Sequence, residues 1–465
     1  MTCCGPNRRR LLGLLGAAAL LPLARPGSAV AQPGSIVATD LEVVTITERS
    51  AVLTWTTVSA SGDPVETDSE VWLRPADGGV LRQVFGESGP TACHYAEITG
   101  LEPGRDYRFE ARSAGVTAAP ALNLVTRLPN SPEARGEFST LVPPPGRLIR
   151  TIALSNDVHY GEEVSGLIAA GLPPGARQDP GLPPYPEVML AGLLDDLHRP
   201  DRGADHLLIA GDLTAEATPE QVRGVHAQLS AWGANGRDWF AARGNHDRPH
   251  TGSDYASCSP YLDHFDCYGE LFGPRQELGS YELGGLRLLA LDTTELDTSG
   301  GAIDRPQFDR LRELLRADPD RPTLVFSHHP VTAESGWSNI AGPGFVLAAG
   351  DAAELQALYR SAPGVFLHHS GHTHRNRRTR PDLPVAVEFL EVAAVKEYPG
   401  GYTLLRLYEG GYMATFYKTR SALSRRWSTR TRSEYLGLQP EYTLGTTADR
   451  NHTVLRDLSG LTPAS

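Results

Sequence analysis

Cysteine is scarce in this 465-residue sequence, which contains only five. None of them has the paired spacing that binds structural zinc, so a zinc-stabilised domain is not expected. The sequence also lacks any apolar run of the roughly 18 residues that a membrane-spanning helix requires. Its 43 Lys and Arg are outnumbered by 55 Asp and Glu, for a formal net charge of -12. Nucleic acid and anionic membranes attract basic surfaces, so neither is expected as the main partner.

The composition is that of a globular protein, with 40% hydrophobic and 21% charged residues. A chain of this length exceeds one ordinary hydrophobic core and indicates two or three domains. The composition itself gives no further indication of function.

Residues 1–31 are similar to a twin-arginine export signal. Arg9 and Arg10 precede an apolar run that ends at Leu23, and Ala29-Val30-Ala31 offers a cleavage site of small residues. The run is too short for a membrane anchor. We therefore expect export by the twin-arginine route to the periplasm, the cell wall or the exterior.

Short strands of alternating polarity are predicted over residues 35–127, separated by turn signals. Leu101-Glu102-Pro103-Gly104 leads into Tyr107, a pattern typical of a tyrosine corner at the edge of a β-sandwich. With Trp55 on an early strand, the segment resembles a fibronectin type III domain. That resemblance implies a small all-β sandwich.

A Pro-rich linker is predicted at residues 128–147, followed by strands that alternate with helices over residues 148–418. Helical spacing of apolar residues predicts helices at 187–198, 219–232 and 306–316, and alternation near the end predicts strands at 385–395 and 402–417. The tail, 419–465, is expected to pack on this second domain or to be partly irregular.

Five clusters of Asp, Asn and His recur in order through the second domain, mostly where apolar strands end. They are Asp157-Val158-His159, Gly211-Asp212, Gly244-Asn245-His246-Asp247, His328-His329-Pro330 and Gly371-His372-Thr373-His374. Open α/β sheets place their sites at the carboxyl ends of strands, so the clusters should share one rim.

The donor types in these clusters indicate two adjacent metal ions. Mixed oxygen and imidazole ligation without thiolate suits Fe, Mn, Zn or Co. An aspartate such as Asp212 can bridge two ions through its carboxylate. Two ions about 3.5–4 Å apart ionise a bridging water and neutralise phosphate oxygens, so the expected reaction is hydrolysis of phosphate esters.

The clusters resemble the motif set of the calcineurin-like metallophosphoesterase superfamily over residues 148–418. That resemblance implies a four-layer α/β/β/α sandwich of two mixed sheets. It also implies one metal held by Asp157, His159, Asp212 and His374, and a second held by Asp212, Asn245, His328 and His372. His246 matches the family histidine that contacts the phosphate, and Asp247 is expected to orient it.

Two departures separate the sequence from purple acid phosphatases, which also carry an N-terminal sandwich. Ala215 stands where those enzymes have a tyrosine ligand, and His159 stands where they have no histidine. The Asp-x-His start is more similar to the branch that contains class III cyclic nucleotide phosphodiesterases and glycerophosphodiesterases.

Several side chains beside the ligands are candidates for binding substrate, and each has a structural alternative. His329 either touches substrate or packs before Pro330. The other candidates either bind phosphate oxygens or are surface and loop charges; they are Arg243, Arg248, His250 and Arg375. Cys258 and Cys267 are expected to form a disulfide if the protein is exported. The insertions 161–184 and 250–275 could shape the cleft.

The sequence thus predicts an exported dinuclear-metal hydrolase of small phosphodiesters or phosphomonoesters that acts through a metal-bridging hydroxide. One alternative is a broad phosphomonoesterase with acid-phosphatase-like behaviour. Another, of a different class, is a surface scaffold or adhesion protein with a vestigial metal site. The complete ligand set argues against the scaffold, because buried polar groups without a function are costly.

Overall fold

A computed structural model describes residues 35–166, 175–248, 266–296 and 298–463. The predicted export signal lies outside these ranges, as do His250 and Cys258. Within the described ranges, no helix is both long enough and apolar enough to cross a bilayer.

Two antiparallel sheets pack face to face at the start of the described chain. Strands β1, β2 and β5 form one sheet, and β4, β3, β6 and β7 form the other. Trp55 is buried between them, and its indole Nε1 donates a hydrogen bond to Ser113 Oγ at 2.9 Å. Tyr107 Oη accepts a hydrogen bond from Glu102 N at 3.0 Å, the phenol contact that the Pro-Gly turn predicts. The strands are β1 (Ile36–Ile46), β2 (Ala51–Ser59), β3 (Thr67–Pro75), β4 (Arg82–Thr91), β5 (Cys93–Ile98), β6 (Asp106–Ser113) and β7 (Val116–Thr117).

The segment predicted as a Pro-rich linker is folded against the sandwich. It follows helix α1 (Leu124–Arg127) and contains helix α2 (Pro132–Arg135) and strand β8 (Glu137–Ser139). β8 pairs with β6, and Phe138 enters the sandwich core. The linker prediction is corrected here: three residues of the segment pair with β6, and the burial of Phe138 holds them against the sandwich.

The second half of the chain alternates strands and helices, as predicted. Its elements up to the last predicted strand are β9 (Leu148–Ser155), α3 (Tyr185–Leu197), β10 (His206–Ala210), α4 (Pro219–Trp232), β11 (Trp239–Ala242), α5 (Cys267–Leu271), β12 (Gly279–Leu283), β13 (Leu286–Leu291), α6 (Arg305–Ala317), β14 (Thr323–Ser327), α7 (Ala333–Ser338), α8 (Ala349–Arg360), β15 (Val365–Ser370), β16 (Arg377–Thr379), β17 (Glu388–Glu391), β18 (Gly401–Tyr408) and β19 (Gly411–Lys418).

Capping explains the helix boundaries. Thr218 accepts a hydrogen bond from Gln221 N and Pro219 opens α4, while Asp304 accepts from Gln307 N at the start of α6. The helices predicted at 187–198, 219–232 and 306–316 are all present within two residues. The strand predicted at 385–395 is shorter, because only Glu388–Glu391 pairs in a sheet.

After β19 the chain packs on the second domain, which is the first of the two predicted alternatives. It forms α9 (Ala422–Thr431), α10 (Glu434–Gly437), α11 (Gln439–Thr443), α12 (Thr447–Arg450) and β20 (Asn451–Leu455). β20 pairs antiparallel with β19, so Asn451 lies opposite Thr415. The predicted domain boundary at residue 418 is therefore too early, because the last strand of a sheet comes from the tail.

Two mixed six-stranded sheets form the centre of this half. One has the order β11-β10-β9-β18-β19-β20, and the other has the order β12-β13-β14-β15-β17-β16. Ile152 and Leu154 on β9 meet Leu324 and Phe326 on β14 between the two sheets. The alternate residue Val325 faces the helices outside, where it packs with α6 and α8. Burial on both faces explains the continuous apolar strands and confirms the predicted α/β/β/α layers.

Buried charges join the sandwich to the second half. Arg202, which lies after α3, donates two hydrogen bonds to Glu97 of β5, at 2.8 and 3.0 Å, and lies over the Tyr417 ring. Glu42 of β1 is fully enclosed and accepts from Lys418 Nζ and from the Tyr398 hydroxyl, at 2.5 and 2.6 Å. The pKa of Glu42 reflects two opposing effects: burial would raise it, but Lys418 and Arg432 lower it to about 2. The sandwich is therefore anchored by ionised contacts in a buried interface.

Candidate metal centre

The polar clusters follow the strands that end at one rim of the two sheets. Asp157 follows β9, Asp212 follows β10 and Asn245 begins a short 3-10 turn after β11. His328 directly follows β14, while His372 and His374 follow β15. The structure thus brings together all seven predicted ligands, which span more than 200 positions of sequence, because parallel strands place their carboxyl ends at the same edge.

Asp157, His159 and His374 form the first group of donors. The Asp157 Oδ1 atom lies 3.2 Å from His374 Nε2 and 3.8 Å from His159 Nε2. The Nε2 atom of His159 also lies 3.5 Å from Asp212 Oδ2. Asp212 thereby closes the group on its inner side.

His328, His372 and Asn245 form the second group, again with Asp212. The Asp212 Oδ2 atom lies 3.1 Å from His328 Nε2. That same nitrogen is 3.0 Å from Asn245 Oδ1 and 2.9 Å from His372 Nδ1. One carboxylate oxygen, Asp212 Oδ2, therefore contacts both groups and occupies the place of a bridging ligand.

The backbone at these ligands is strained. Five of the seven have a positive φ although none is glycine: Asp157 at 53°, His159 at 50°, Asp212 at 51°, His372 at 67° and His374 at 55°. Each such residue costs about 1–3 kcal/mol and persists only where the surroundings impose it. The fold accepts this cost at the same residues that bring donor atoms together, which indicates a functional site.

Two further observations fit a bound cation. Some buried imidazole nitrogens have no hydrogen-bond partner in the part of the chain that the structure describes, and glycines pack tightly against the ligands. Among the described residues, His159 Nε2 and His372 Nε2 are buried and have no hydrogen-bond partner. The motif glycines lie so close to the ligands that a Cβ at Gly371 would press on Asp157, and one at Gly211 would press on His328. The donor set and its packing therefore fit a pair of transition-metal ions.

The pKa shifts of the ligand side chains favour metal binding. Burial alone would raise the pKa of Asp157, but His374 holds it well below its usual range, and His328 does the same for Asp212. Burial keeps the pKa of His372 well below its usual range, so its imidazole is neutral. Burial opposes protonation of His374 too, yet Asp157 and Glu397 raise its pKa to about 9. A cation at this position would replace that proton.

Residues outside the predicted ligand set contact the Nδ1 atoms of the ligand imidazoles and fix their orientation. Glu162 Oε2 lies 3.1 Å from His159 Nδ1, and Glu397 Oε1 lies 2.8 Å from His374 Nδ1. His328 Nδ1 instead donates to the Ala210 carbonyl at 2.9 Å. Glu162 follows its histidine by three positions and was accessible to sequence reasoning. Glu397 lies in an apolar stretch with no signal that points to the site.

His246 lies at the edge of the cluster and is half-buried. Its Nδ1 donates to the Ala215 carbonyl at 2.7 Å, and its ring centroid is 4.5 Å from that of His159. A ring nitrogen of His246 lies within 4.8 Å of ligand atoms of His159 and Asp212. This is where a side chain could exchange a proton with a substrate bound to the donors.

Asp247 does not orient His246 as the resemblance implied. Its Oδ1 accepts from Thr214 N at 2.9 Å, and its Oδ2 accepts from Leu213 N at 3.0 Å. The 3-10 turn points the carboxylate back to the loop after Asp212. Asp247 therefore fixes the bridging loop, and the Ala215 carbonyl on that loop orients His246.

The candidate arginines follow their structural alternative, because the protein itself supplies their hydrogen-bond acceptors. Arg243 is buried and forms a two-bond ion pair with Asp266, at 2.8 and 3.0 Å. Arg375 is buried and donates to Glu391 Oε2 at 2.7 Å. Arg248 is also buried and donates to the Asn245 carbonyl at 3.2 Å. These guanidinium groups stabilise the loops around the ligands, because each has its acceptor within the protein.

Two further predictions concern side chains near the ligands. His329 is fully buried, and its Nδ1 lies 2.8 Å from Thr293 Oγ1, so the packing alternative describes it. Cys267 is disulfide-bonded. The predicted partner Cys258 and the candidate His250 lie outside the described residues.

Comparison with known proteins agrees with this geometry. Residues 150–376 match the family model described as calcineurin-like phosphoesterase. A 3′,5′-cyclic-nucleotide phosphodiesterase of Nostoc is 25% identical over 222 residues, which are 45% of this chain and 75% of that protein. A probable cyclic nucleotide phosphodiesterase of Synechococcus is 29% identical over 129 residues, which are 28% of this chain but only 44% of that protein.

Solved structures give weaker similarity. A purple acid phosphatase from yellow lupin seeds has 16% identity and a TM-score of 0.42, covering 91% of this chain and 75% of that one. A dimetal phosphatase from Danio rerio has 15% identity and a TM-score of 0.43, covering 59% of this chain and 98% of that one. Similarity at this level carries no information about activity.

Proposed function

We propose that this chain, a metal-dependent phosphoester hydrolase whose residues 150–376 match the calcineurin-like phosphoesterases, cleaves small phosphodiesters. The observation that carries the proposal is the position of Asp212 Oδ2, which is in contact with both groups of donors. A single-metal site or a vestigial one has no need of an oxygen shared in this way. The names of the two relatives, both cyclic nucleotide phosphodiesterases, support the diester class.

The residues divide into two sets of ligands that share Asp212. Asp157, His159 and His374 would hold one ion with it, and the other would be held by Asn245, His328 and His372. Two bound ions supply Lewis acidity toward the phosphate oxygens and lower the pKa of water. His246 would transfer a proton at the leaving oxygen, because the Ala215 carbonyl fixes its ring beside the donors.

Two of the arginines near the ligands support the choice of a diester over a monoester. A phosphomonoester carries up to two negative charges near neutral pH, whereas a diester carries one. Among the described residues, Arg243 and Arg375 are already neutralised by Asp266 and Glu391. They are therefore not available for the extra charge of a monoester.

Turnover of paired chromogenic substrates tests the proposal. Metal-loaded protein would be given bis-p-nitrophenyl phosphate, p-nitrophenyl phosphate and a 3′,5′-cyclic nucleotide. We expect kcat/KM for the bis-ester to exceed that for the monoester at least about tenfold, or ~1.4 kcal/mol in activation free energy. Turnover of the monoester alone would support the acid-phosphatase-like alternative. Bound metal without turnover of any of the three would support the scaffold.

We also propose that the protein is exported by the twin-arginine route, on the basis of Arg9, Arg10 and the small-residue site at 29–31. Expression of the full chain in a bacterial host with and without a functional twin-arginine pathway tests this. We expect the mature protein outside the cytoplasm only when the pathway is intact. The same distribution in both hosts would refute the proposal.

A further inference from the structure

A lysine and two glutamates form a buried network behind the first group of donors. Lys396 Nζ donates to both carboxylate oxygens of Glu162, at 2.9 and 2.7 Å, and lies 3.6 Å from Glu397 Oε2. Glu162 and Glu397 in turn contact the Nδ1 atoms of His159 and His374. Lys396 thus links the carboxylates behind the two histidines.

The network is held in place from several sides. Ser165 Oγ donates to Glu397 Oε2 at 2.9 Å, and Gln439 Nε2 donates to Glu397 Oε1 at 3.1 Å. The Lys396 backbone N–H donates to the Asp157 carbonyl at 3.3 Å. These contacts come from distant segments of the chain. They leave Glu397 little freedom to move away from His374.

A carboxylate on Nδ1 has two effects on an imidazole. It fixes the tautomer, so that Nε2 presents its lone pair to a metal, and it makes that nitrogen more basic. Both effects act on His159 and His374, whose Nε2 atoms face Asp157 Oδ1. Lys396 lowers the cost of placing these extra carboxylates beside Asp157.

The second group of donors has a different environment. His328 Nδ1 donates to the neutral Ala210 carbonyl, and Asn245 contributes a neutral amide oxygen. Within the described chain, the hydrogen bonds and ion pairs of the second-group imidazoles include no carboxylate other than Asp212. The two positions therefore share a bridging ligand but differ in the charge behind their imidazoles.

We propose that Glu162, Lys396 and Glu397 are positioning residues that increase metal affinity at the first position, formed by Asp157, His159, His374 and Asp212, and not at the second. The proposal rests on the proposed function, since it takes the donors to bind metal. It adds residues that the ligand motifs do not contain. It also predicts that the two ions are released separately.

The test measures metal content and requires no turnover. Glu397→Gln keeps the size and a hydrogen-bond acceptor but removes the charge. Dialysis against graded chelator followed by elemental analysis should show that one ion of the variant is removed at about 10–100-fold lower chelator concentration. The other ion should be retained as in the unmodified protein. Glu162→Gln should act in the same direction.

Combining Glu397→Gln with each of two other substitutions identifies which metal position is affected. In Asn245→Ala, which weakens the second position, Glu397→Gln should weaken the remaining ion about 10–100-fold. In Asp157→Asn, which weakens the first position, Glu397→Gln should leave the remaining ion unchanged. Equal weakening in both backgrounds, or no weakening in either, would overturn the proposal.

Glu388→Gln is the matched control. Glu388 is the first residue of β17, at the end opposite the donors, and its Oε1 lies 2.7 Å from His452 Nε2. This variant loses a buried carboxylate–histidine contact without touching the site, so it should keep both ions at the original chelator concentration. Loss of an ion in this control would show that the effect is structural and would overturn the proposal. Unmodified protein that binds no metal would overturn the proposed function as well.

Discussion

Replacing Asp212 with asparagine is expected to reduce bound metal from two ions per chain to at most one and to slow diester hydrolysis by about 10³-fold. The Oδ2 atom of Asp212 contacts His159 on one side and His328 on the other, so its charge serves both groups. Asparagine retains an Oδ1 that can accept the His246 backbone N–H, which Asp212 accepts at 2.8 Å. The loop should therefore keep its shape while the bridging charge is lost. Elemental analysis and initial rates on bis-p-nitrophenyl phosphate measure the two effects.

His246→Asn is the control for this experiment. We propose that its ring transfers a proton to the leaving oxygen, and it is not a predicted ligand, so the variant should keep both ions and lose about 10²–10⁴-fold in rate. A pair of ions bound with full activity in Asp212→Asn would contradict the assignment of the bridge. Metal loss in His246→Asn would instead make His246 a ligand.

Replacing Arg202 with methionine is expected to destabilise the protein by about 3–5 kcal/mol without changing its metal content. The guanidinium is enclosed between Glu97 and the hydroxyls of Tyr95 and Tyr402, each of which accepts from it at 3.2 Å. Methionine fills similar volume but leaves the Glu97 carboxylate without this partner. Unfolding in denaturant, followed by circular dichroism, measures the change in the free energy of unfolding. Elemental analysis of the folded fraction measures the metal content.

Arg199→Met provides the comparison from the same loop. Arg199 pairs with Asp201 at 3.1 Å, and both side chains are exposed, so its loss should cost at most about 1 kcal/mol. Equal destabilisation by the two variants would show that the interface contacts of Arg202 stabilise the protein no more than an exposed ion pair does. A sandwich that unfolds separately in the unmodified protein would lead to the same conclusion.

The positions of the ligands could be predicted because their signal is local. An apolar strand followed within two residues by Asp, Asn or His needs no knowledge of the rest of the chain, as at Asp212 after β10. The helix at Pro219–Trp232 is equally local, since Thr218 and Pro219 define its start. The rules of α/β sheets then place these strand ends at one rim.

The contacts of the arginines could not be predicted, because each depends on a partner chosen by the fold. Arg375 pairs with Glu391 at the end of β17, and Arg243 pairs with Asp266, which follows it by 23 positions in the sequence. Sequence shows a positive charge beside a ligand but not whether a carboxylate is aimed at it. The same holds for Asp247, whose direction is set by a 3-10 turn of three residues.

The strand in the tail could not be predicted for a related reason. β20 is short, and its pairing with β19 joins residues separated by a run of four helices. Its half-buried edge position gives weak alternation, so periodicity alone does not distinguish it from a loop.

The position of β20 has a consequence for biosynthesis. Asn451 and Arg450 donate to the carbonyls of Val44 and Val43 in the first strand, so the last strand and the first are joined by hydrogen bonds. A ribosome releases residues 451–455 after every other described strand, and only then can the six-stranded sheet reach its full width. This sheet is therefore completed late, and a chain arrested before this point would expose the unpaired edge of β19 to chaperones and proteases.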